Sequence, residues 1–349
     1  MEPTKKMLIM NILDVLKRYS DSDHTLSQKD IMEILEKEYD MTADRKTVKR
    51  NLENLEDMGY AIEYSESIRM TPNPKTGKRE ENIITSDYYL ERDFSDPELR
   101  LLIDGLLFST HIPYNQCKAL VEKLKNLSNI YFKASVKHIS TMPETRPQNP
   151  ELFLTIEMLD EAISKNKKVK FTYLEYTTKK KQKKKTRDDG SVREYVVTPY
   201  QMAAKEGKYY LICNYDKYND LSNYRIDRII DVEILDEKGK AFNSLDGVTN
   251  RNLDLAAYMA EHIYMYSSGN TRTKFRIVKE MISDVIDLFG MDVDFSNETE
   301  THVDVTARVN ERAMFQFAKN YAPDVLVLEP KSLVKKLKED AEKTLKAYK

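Results

Sequence analysis

The sequence predicts a multidomain α+β protein, and three observations carry that reading. Residues 4 to 58 repeat apolar positions at helical spacing and are followed by alternating segments at 62–65 and 83–90. Strand-like segments then come in quick succession between Val169 and Glu233. The last stretch, from Lys274 onward, alternates strand and helix, as a compact α+β domain does. At 349 residues the chain is long enough for two or three such units, each with its own core.

The composition narrows the class. Hydrophobic residues make up 40% and charged residues 33%, the balance of a charge-rich globular protein, and the net charge of −2 points to no partner by itself. Cys117 and Cys213 lie far apart in apolar runs, so they read as reduced core residues of a cytoplasmic protein. Lys5-Lys6 before an apolar run imitates a signal peptide, but Asn11 and Asp14 interrupt it and no small-residue cleavage site follows. No apolar run approaches the ~18 residues that a membrane span requires.

The first helix is expected over 4–19 with Thr4 as its cap. Ser27 opens a second through a Ser-x-x-Asp capping pattern with Asp30, and Asp44 caps a third that Gly59 ends. In that third helix Val48, Leu52 and Leu55 form one apolar stripe. The opposite face carries Lys46, Arg50 and Asn54, flanked by Thr47 and Lys49. Arg can fork onto guanine, Asn onto adenine, and Lys and Thr can meet phosphates, as in a recognition helix lying in the major groove. An ordinary solvated helix face is the alternative. The segment after it favours DNA: Arg69, Lys75, Lys78 and Arg79 sit in a Pro/Asn/Gly-rich connector between two strands, the pattern of a wing with a basic tip. Residues 1–92 thus read as a winged helix-turn-helix domain with a double-stranded DNA operator as partner.

Two apolar helices are expected at 96–109 and 114–127, a dimerisation or bridging module with a small helical subdomain as the alternative, and three prolines within 141–150 mark a linker. Together they make 93–150 the joining region of a homodimer. After a helix at 151–165, five strands are expected at 169–173, 192–198, 200–205, 209–215 and 223–233, which suit a small, strongly bent barrel within 151–240. Between the first two strands, positions 177–187 hold seven basic residues and no acid, which reads as a solvated, mobile loop with attraction for nucleic acid as the second possibility. Residues 241–349 read as a connector with a short helix at 254–262, followed by the C-terminal α+β domain, which resembles a ferredoxin-like sheet.

The stretch from Lys208 to Ile230 organises the rest. Arg225 and Arg228 stand in an otherwise apolar segment with Asp227 between them. Desolvating an unpaired charge costs several kcal/mol. Either Asp227 and its neighbours neutralise the two arginines, or they face a cavity that accepts an anion. Chemistry of other kinds lacks its signatures: there is no dinucleotide fingerprint, P-loop or nucleophile elbow, and the five histidines stand at no metal-ligand spacing. The reading is of a protein that is not an enzyme and needs no cofactor or metal.

Pro199, then Tyr209-Tyr210-Leu211, then Tyr224-Arg225-Ile226-Asp227-Arg228-Ile229 resemble the WYL domain of bacterial transcriptional regulators. The order around it is similar too: winged helix before, barrel, then a C-terminal extension of the kind called WCX. The signature position that is usually Trp is Tyr209 here, and where many members carry a His after the aromatic run this chain has Asp216. The resemblance implies a transcription factor whose Sm-like barrel senses a nucleotide or nucleic-acid ligand. Arg225 and Arg228 would then contact phosphate, and Tyr209, with Tyr173 and Tyr200, would form an aromatic wall. The rival reading is a non-transcriptional accessory protein that binds single-stranded RNA or DNA and modulates a partner effector.

Overall fold

A computed structural model describes residues 7–72, 79–135, 149–245, 253–267 and 269–348. The chain divides into two compact units, residues 1–109 with 114–145, and residues 110–113 with 146–349.

The first unit begins with helices α1 (Leu8–Tyr19), α2 (Gln28–Tyr39) and α3 (Arg45–Asp57). Their starts are set locally. Ser27 accepts from the Asp30 N–H while Asp30 returns a bond to the Ser27 N–H, and Asp44 accepts from Thr47 at 2.9 Å. The Thr4 cap lies outside the described residues. Ile12, Leu16, Ile31, Leu35, Val48, Leu52 and Leu55 are almost fully buried and make one core with Tyr88 and Leu90 of the hairpin that follows. That hairpin, β1 (Ile62–Pro72) and β2 (Arg79–Leu90), makes the unit winged-helix-like. It is much longer than the sequence pattern predicts, since the ladder runs out to Pro72 opposite Arg79. Its outer part buries neither face, so no hydrophobic alternation announces it; Ile68, Met70 and Ile83 stay exposed, Ile68 opposite Ile83. Helices α4 (Asp96–Phe108), α5 (Tyr114–Lys125) and α6 (Ile130–Ser135) complete the unit.

In the second unit α7 (Leu152–Ser164) packs on an antiparallel sheet of β3 (Lys167–Tyr176), β4 (Gln182–Lys184), β5 (Glu194–Lys205), β6 (Lys208–Asn214), β7 (Ser222–Arg225) and β8 (Ile229–Lys238). The order is β4-β3-β5-β6-β7, with β8 also on β3. Three details depart from the predicted strands. Segments 192–198 and 200–205 are one strand, β5, bent by a bulge beside Pro199, where the missing N–H does least harm to the ladder. The segment 223–233 is broken by a 3-10 turn, Ile226–Arg228, which lets the chain leave the edge of β6 and pair with β3 instead. The lysine run is not a loose loop: it contains β4, whose Lys183 and Lys184 are neutralised by Glu175 and Asp231 at 3.1 and 2.8 Å.

Helix α8 (Leu255–Glu261) lays Tyr258 and, beyond its end, Met265 against Ala203 and Ile212 of the sheet. The C-terminal α/β sheet follows, with β9 (Asn270–Val278), β10 (Asp294–Ser296), β11 (His302–Asn310) and β12 (Val325–Glu329) in the order β10-β11-β9-β12. Helices α9 (Ile282–Phe289), α10 (Glu311–Asn320) and α11 (Lys331–Ala347) alternate with these strands, and Phe275, Phe289 and Phe317 meet in the core at ring distances of 5.2–6.2 Å. No helix among the described residues is long and apolar enough to cross a membrane.

One ion cluster in this sheet has a measurable acid signature. Asp304, 1% exposed, accepts from Arg276 Nε at 2.7 Å and from Asn297 at 2.8 Å, with Lys274 at 3.4 Å. The hydrogen bond from Arg276, against the cost of burial, holds its pKa down at about 2. A carboxylate depressed in the folded state contributes stability above its unfolded pKa and loses it as pH falls through the folded one. Acid should therefore weaken the C-terminal sheet between about pH 4 and 2. Asp304→Asn should cost about 1–2 kcal/mol at neutral pH and flatten that dependence, since half-exposed Arg276 limits the gain. Denaturant unfolding at pH 7 and at about pH 2.5 would measure both effects.

Candidate nucleic-acid interface and anion site

Two surfaces gather the residues that the sequence singled out. On α3, Lys46, Lys49, Arg50 and Asn54 are exposed along about 12 Å of helix, opposite the buried Val48-Leu52-Leu55 stripe. Lys49 lies 3.8 Å from Glu53, while Arg50 has no ion-pair partner among the described residues. Thr47 is half-buried and its hydroxyl is bound to the Asp44 cap at 3.1 Å, so the cap uses the donor expected for phosphate. Arg79 is exposed at the start of β2; Lys75 and Lys78 fall outside the described residues. The other end of α3 has the opposite charge. Glu53, Glu56 and Asp57 face Glu63 and Glu66 of β1, and burial together with Asp57, Glu53 and Glu63 raises the Glu56 carboxyl above its ordinary value. A polyanion can therefore approach the first turns of α3 but not the last.

The second surface lies where β6, β7 and the 3-10 turn meet. Residues opposite one another across antiparallel strands share a face, and the register sets Tyr210 opposite Arg225 and Leu211 opposite Tyr224. Arg225 bends back on Asp227, with Nε donating at 3.0 Å and Nη2 at 2.7 Å to the two carboxylate oxygens. Asp227 is 1% exposed and Arg225 21%. Burial opposes the Arg225 charge, but the Asp227 hydrogen bonds outweigh it and keep the guanidinium above the ordinary arginine value. Arg228 is placed differently. It has no ion pair among the described residues, its Nε is buried with no hydrogen-bond partner, and its guanidinium lies 5.7 Å from the Tyr176 ring. An orphaned charged donor of this kind is costly unless something else binds it.

Tyrosines surround the two arginines. Tyr173 is largely buried, its ring 5.2 Å from Tyr224 and its hydroxyl 3.3 Å from the Arg225 N–H. Burial raises the pKa of Tyr173 and of Tyr210, while Arg225 and Arg228 pull both the other way, so each ring sits in the field of both cations. Tyr173, Arg225 and Arg228 are therefore brought together. Tyr209 and Tyr200 lie elsewhere. Tyr209 is on the other side of β6, its ring 5.7 Å from His111, and Tyr200 donates to the Lys240 carbonyl at 3.0 Å beside Phe242. Asp216 is taken by Lys168, which also binds Glu237. Tyr210, opposite Arg225, and Tyr176, whose ring lies 5.7 Å from the Arg228 guanidinium, were not singled out by the sequence. The two-residue period of β6 separates Tyr209 from Tyr210, but only the cross-strand register says which one faces Arg225.

The family model of the WYL domain matches residues 155–234. A search of curated proteins gives no match. Among solved structures the chain is similar to the proteasome accessory factor B/C (PafBC) of Arthrobacter aurescens, at 13% identity and a TM-score of 0.29. The alignment covers 96% of this chain and 47% of that one, so the chain spans about half the length of that protein. It is also similar to a CRISPR Cas-related protein, at 12% identity and a TM-score of 0.37, covering 100% of this chain and 87% of the other. The bent sheet that carries Tyr173, Tyr210, Arg225 and Arg228 lies within the matched stretch up to the start of β8, and the chain accordingly contains a WYL domain over residues 155–234.

Proposed function

We propose that this is a DNA-binding transcriptional regulator whose WYL domain senses an anionic nucleotide or nucleic-acid ligand. The observation that carries the sensing half is the buried Nε of Arg228, which has no hydrogen-bond partner while its guanidinium lies 5.7 Å from the Tyr176 ring. Arg225 is already satisfied by Asp227, so its part is to hold the turn, and Arg228 is the donor left for phosphate. The duplex-binding half is supported by the exposed Lys46, Lys49, Arg50 and Asn54 on one face of α3. In this reading residues 1–92 hold the operator, 93–150 join two copies, 151–240 form the Sm-like sensing barrel, and 241–349 form a WCX-like extension. The strand order β10-β11-β9-β12, with a helix after β9 and after β11, favours a ferredoxin-like topology for the last part. Exposed Leu101, Leu102, Phe108 and Leu127 on and beside α4 and α5 suit a homodimer contact. The protein acts by binding, without catalysis, and works in the cytoplasm.

The test of the sensing half is calorimetric titration of the full chain with inorganic phosphate and with a short oligonucleotide. Arg228→Ala should weaken binding of both by about ten-fold or more, the worth of a hydrogen bond to a charged group. Binding equal to that of the unmodified protein would remove Arg228 from the site.

A further inference from the structure

The C-terminal domain carries a cleft of its own, about 770 Å³ in volume, lined by the start of β9, the first turns of α10 and one side of α11. That is within the size range of small-molecule sites. Part of its charge is already paired. Lys336 binds Glu311, Lys319 holds Asp340 at 2.7 Å, and Lys335 stands 3.9 Å from Glu339. Three polar groups on the wall are left over. Asn270 donates through Nδ2 to the Glu261 carboxylate, which fixes the direction of its carboxamide, and its Oδ1 is buried with no hydrogen-bond partner among the described residues. Turning the amide over would set oxygen against carboxylate, so the unmet acceptor belongs to the site and is costly unless something donates to it. Arg312 and Lys343 are exposed and have no ion-pair partner among the described residues. The Arg312 guanidinium lies 4.7 Å from the Tyr266 ring, and stacking on a ring leaves its N–H donors unused. Half-buried Phe315 and buried Leu333 supply the apolar part of the wall.

We infer that this cleft binds a free α-amino acid with an apolar side chain. The carboxylate meets the Arg312 fork within the field of Lys343, the ammonium donates to Asn270 Oδ1, and the side chain lies against Phe315 and Leu333. The leftover groups select this class over its neighbours. A phosphate or other plain anion brings oxygen lone pairs to an acceptor that needs a donor. A plain amine leaves the charges of Arg312 and Lys343 without a counterion. Only a ligand carrying both a donor cation and a carboxylate answers all three groups. The site lies outside the sheet that holds Arg228 and does not depend on the anion proposed there, so it gives the protein a second effector of a different chemical class.

Calorimetric titration of the full chain with L-leucine, L-methionine and L-phenylalanine tests the site, with N-acetyl-L-leucine, isopentylamine and inorganic phosphate as controls. At least one of the three amino acids should bind. N-acetyl-L-leucine, which lacks the ammonium, and isopentylamine, which is leucine without its carboxylate, should each bind about ten-fold or more weakly than leucine, the worth of a hydrogen bond to a charged group. Phosphate should not compete with the amino acid. Arg312→Ala should weaken amino-acid binding by about ten-fold or more, and because the side chain is exposed the variant should melt as the unmodified protein does. Asn270→Ala should weaken it by a similar factor, with melting measured alongside, since the substitution also removes a bond to Glu261. Arg228→Ala should leave amino-acid binding unchanged. Binding by none of the three amino acids overturns the inference, as does N-acetyl-L-leucine or isopentylamine binding as tightly as leucine, which would make the ligand a plain anion or a plain cation. Full affinity in Arg312→Ala takes the carboxylate contact away and overturns it too. Loss of the amino acid in Arg228→Ala, or its displacement by phosphate, would place the ligand in the other site and overturn the inference while leaving the anion reading intact.

Discussion

Asp227→Ala is expected to destabilise the protein by about 2–4 kcal/mol, a little below the 3–5 kcal/mol typical of breaking a buried pair, because Arg225 keeps some contact with water. Both oxygens of a carboxylate that is 1% exposed accept from Arg225, so the truncation strands a guanidinium rather than deleting one bond. The 3-10 turn Ile226–Arg228 should loosen with it, since the long bond at 3.3 Å from the Arg225 N–H to the Tyr173 hydroxyl is then the one side-chain hydrogen bond left on Arg225 among the described residues. Arg225→Ala/Asp227→Ala should then be less destabilised than the two single losses summed, because the double variant leaves no unpaired charge. Denaturant midpoints of the three variants make that cycle. A loss within about 0.5 kcal/mol for Asp227→Ala would mean that water satisfies the arginine and that the pair fastens nothing. The result also bears on function: if the pair is mainly structural, loss of ligand response in Arg225→Ala reports a deformed turn, and Arg228→Ala is the informative substitution.

Arg50→Ala should weaken binding to a selected duplex by about 5- to 150-fold and relax the choice of base at one position, the expected cost of losing a forked contact to a guanine edge. Lys46→Ala should weaken all duplexes alike and reduce the salt slope by about 1, as a phosphate contact does. Both side chains are exposed and neither has an ion-pair partner among the described residues, so thermal melting should not move. The duplex can be obtained by selection from a random library on the full chain, with affinities then measured at moderate salt. Arg50→Ala with undiminished affinity would take α3 out of the groove. Glu53, Glu56 and Asp57 explain why the effect should be confined to the first turns: any phosphate brought to the far end of the helix would meet carboxylates.

How much could be read in advance depended on the range of the interaction. The capping pairs Ser27–Asp30 and Asp44–Thr47 act over three residues, and the stripe Val48-Leu52-Leu55 over two turns, so they were visible in the sequence and recur in the fold. The split of Arg225 and Arg228 between a carboxylate and a free donor was visible only as a choice between two outcomes. Tyr209 was the expected wall because of its place in a family signature, yet the register gives that face to Tyr210. The outer hairpin and β4 left little trace in the pattern, because ribbons with both faces in solvent are held by backbone ladders and not by apolar alternation.

By itself the sequence determined much of the local order of this protein: the longer helices, the starts of those that follow Ser27, Asp44 and Ser95, their apolar faces, and that two arginines and an aspartate share one short stretch. The tertiary structure alone decided which side chains meet. Strand register is set by pairing between residues far apart in the chain, and a shift of one position carries every side chain to the other face. That is why Tyr210 shares a face with Arg225, Asp227 takes Arg225, and Tyr209 lies beside His111 instead.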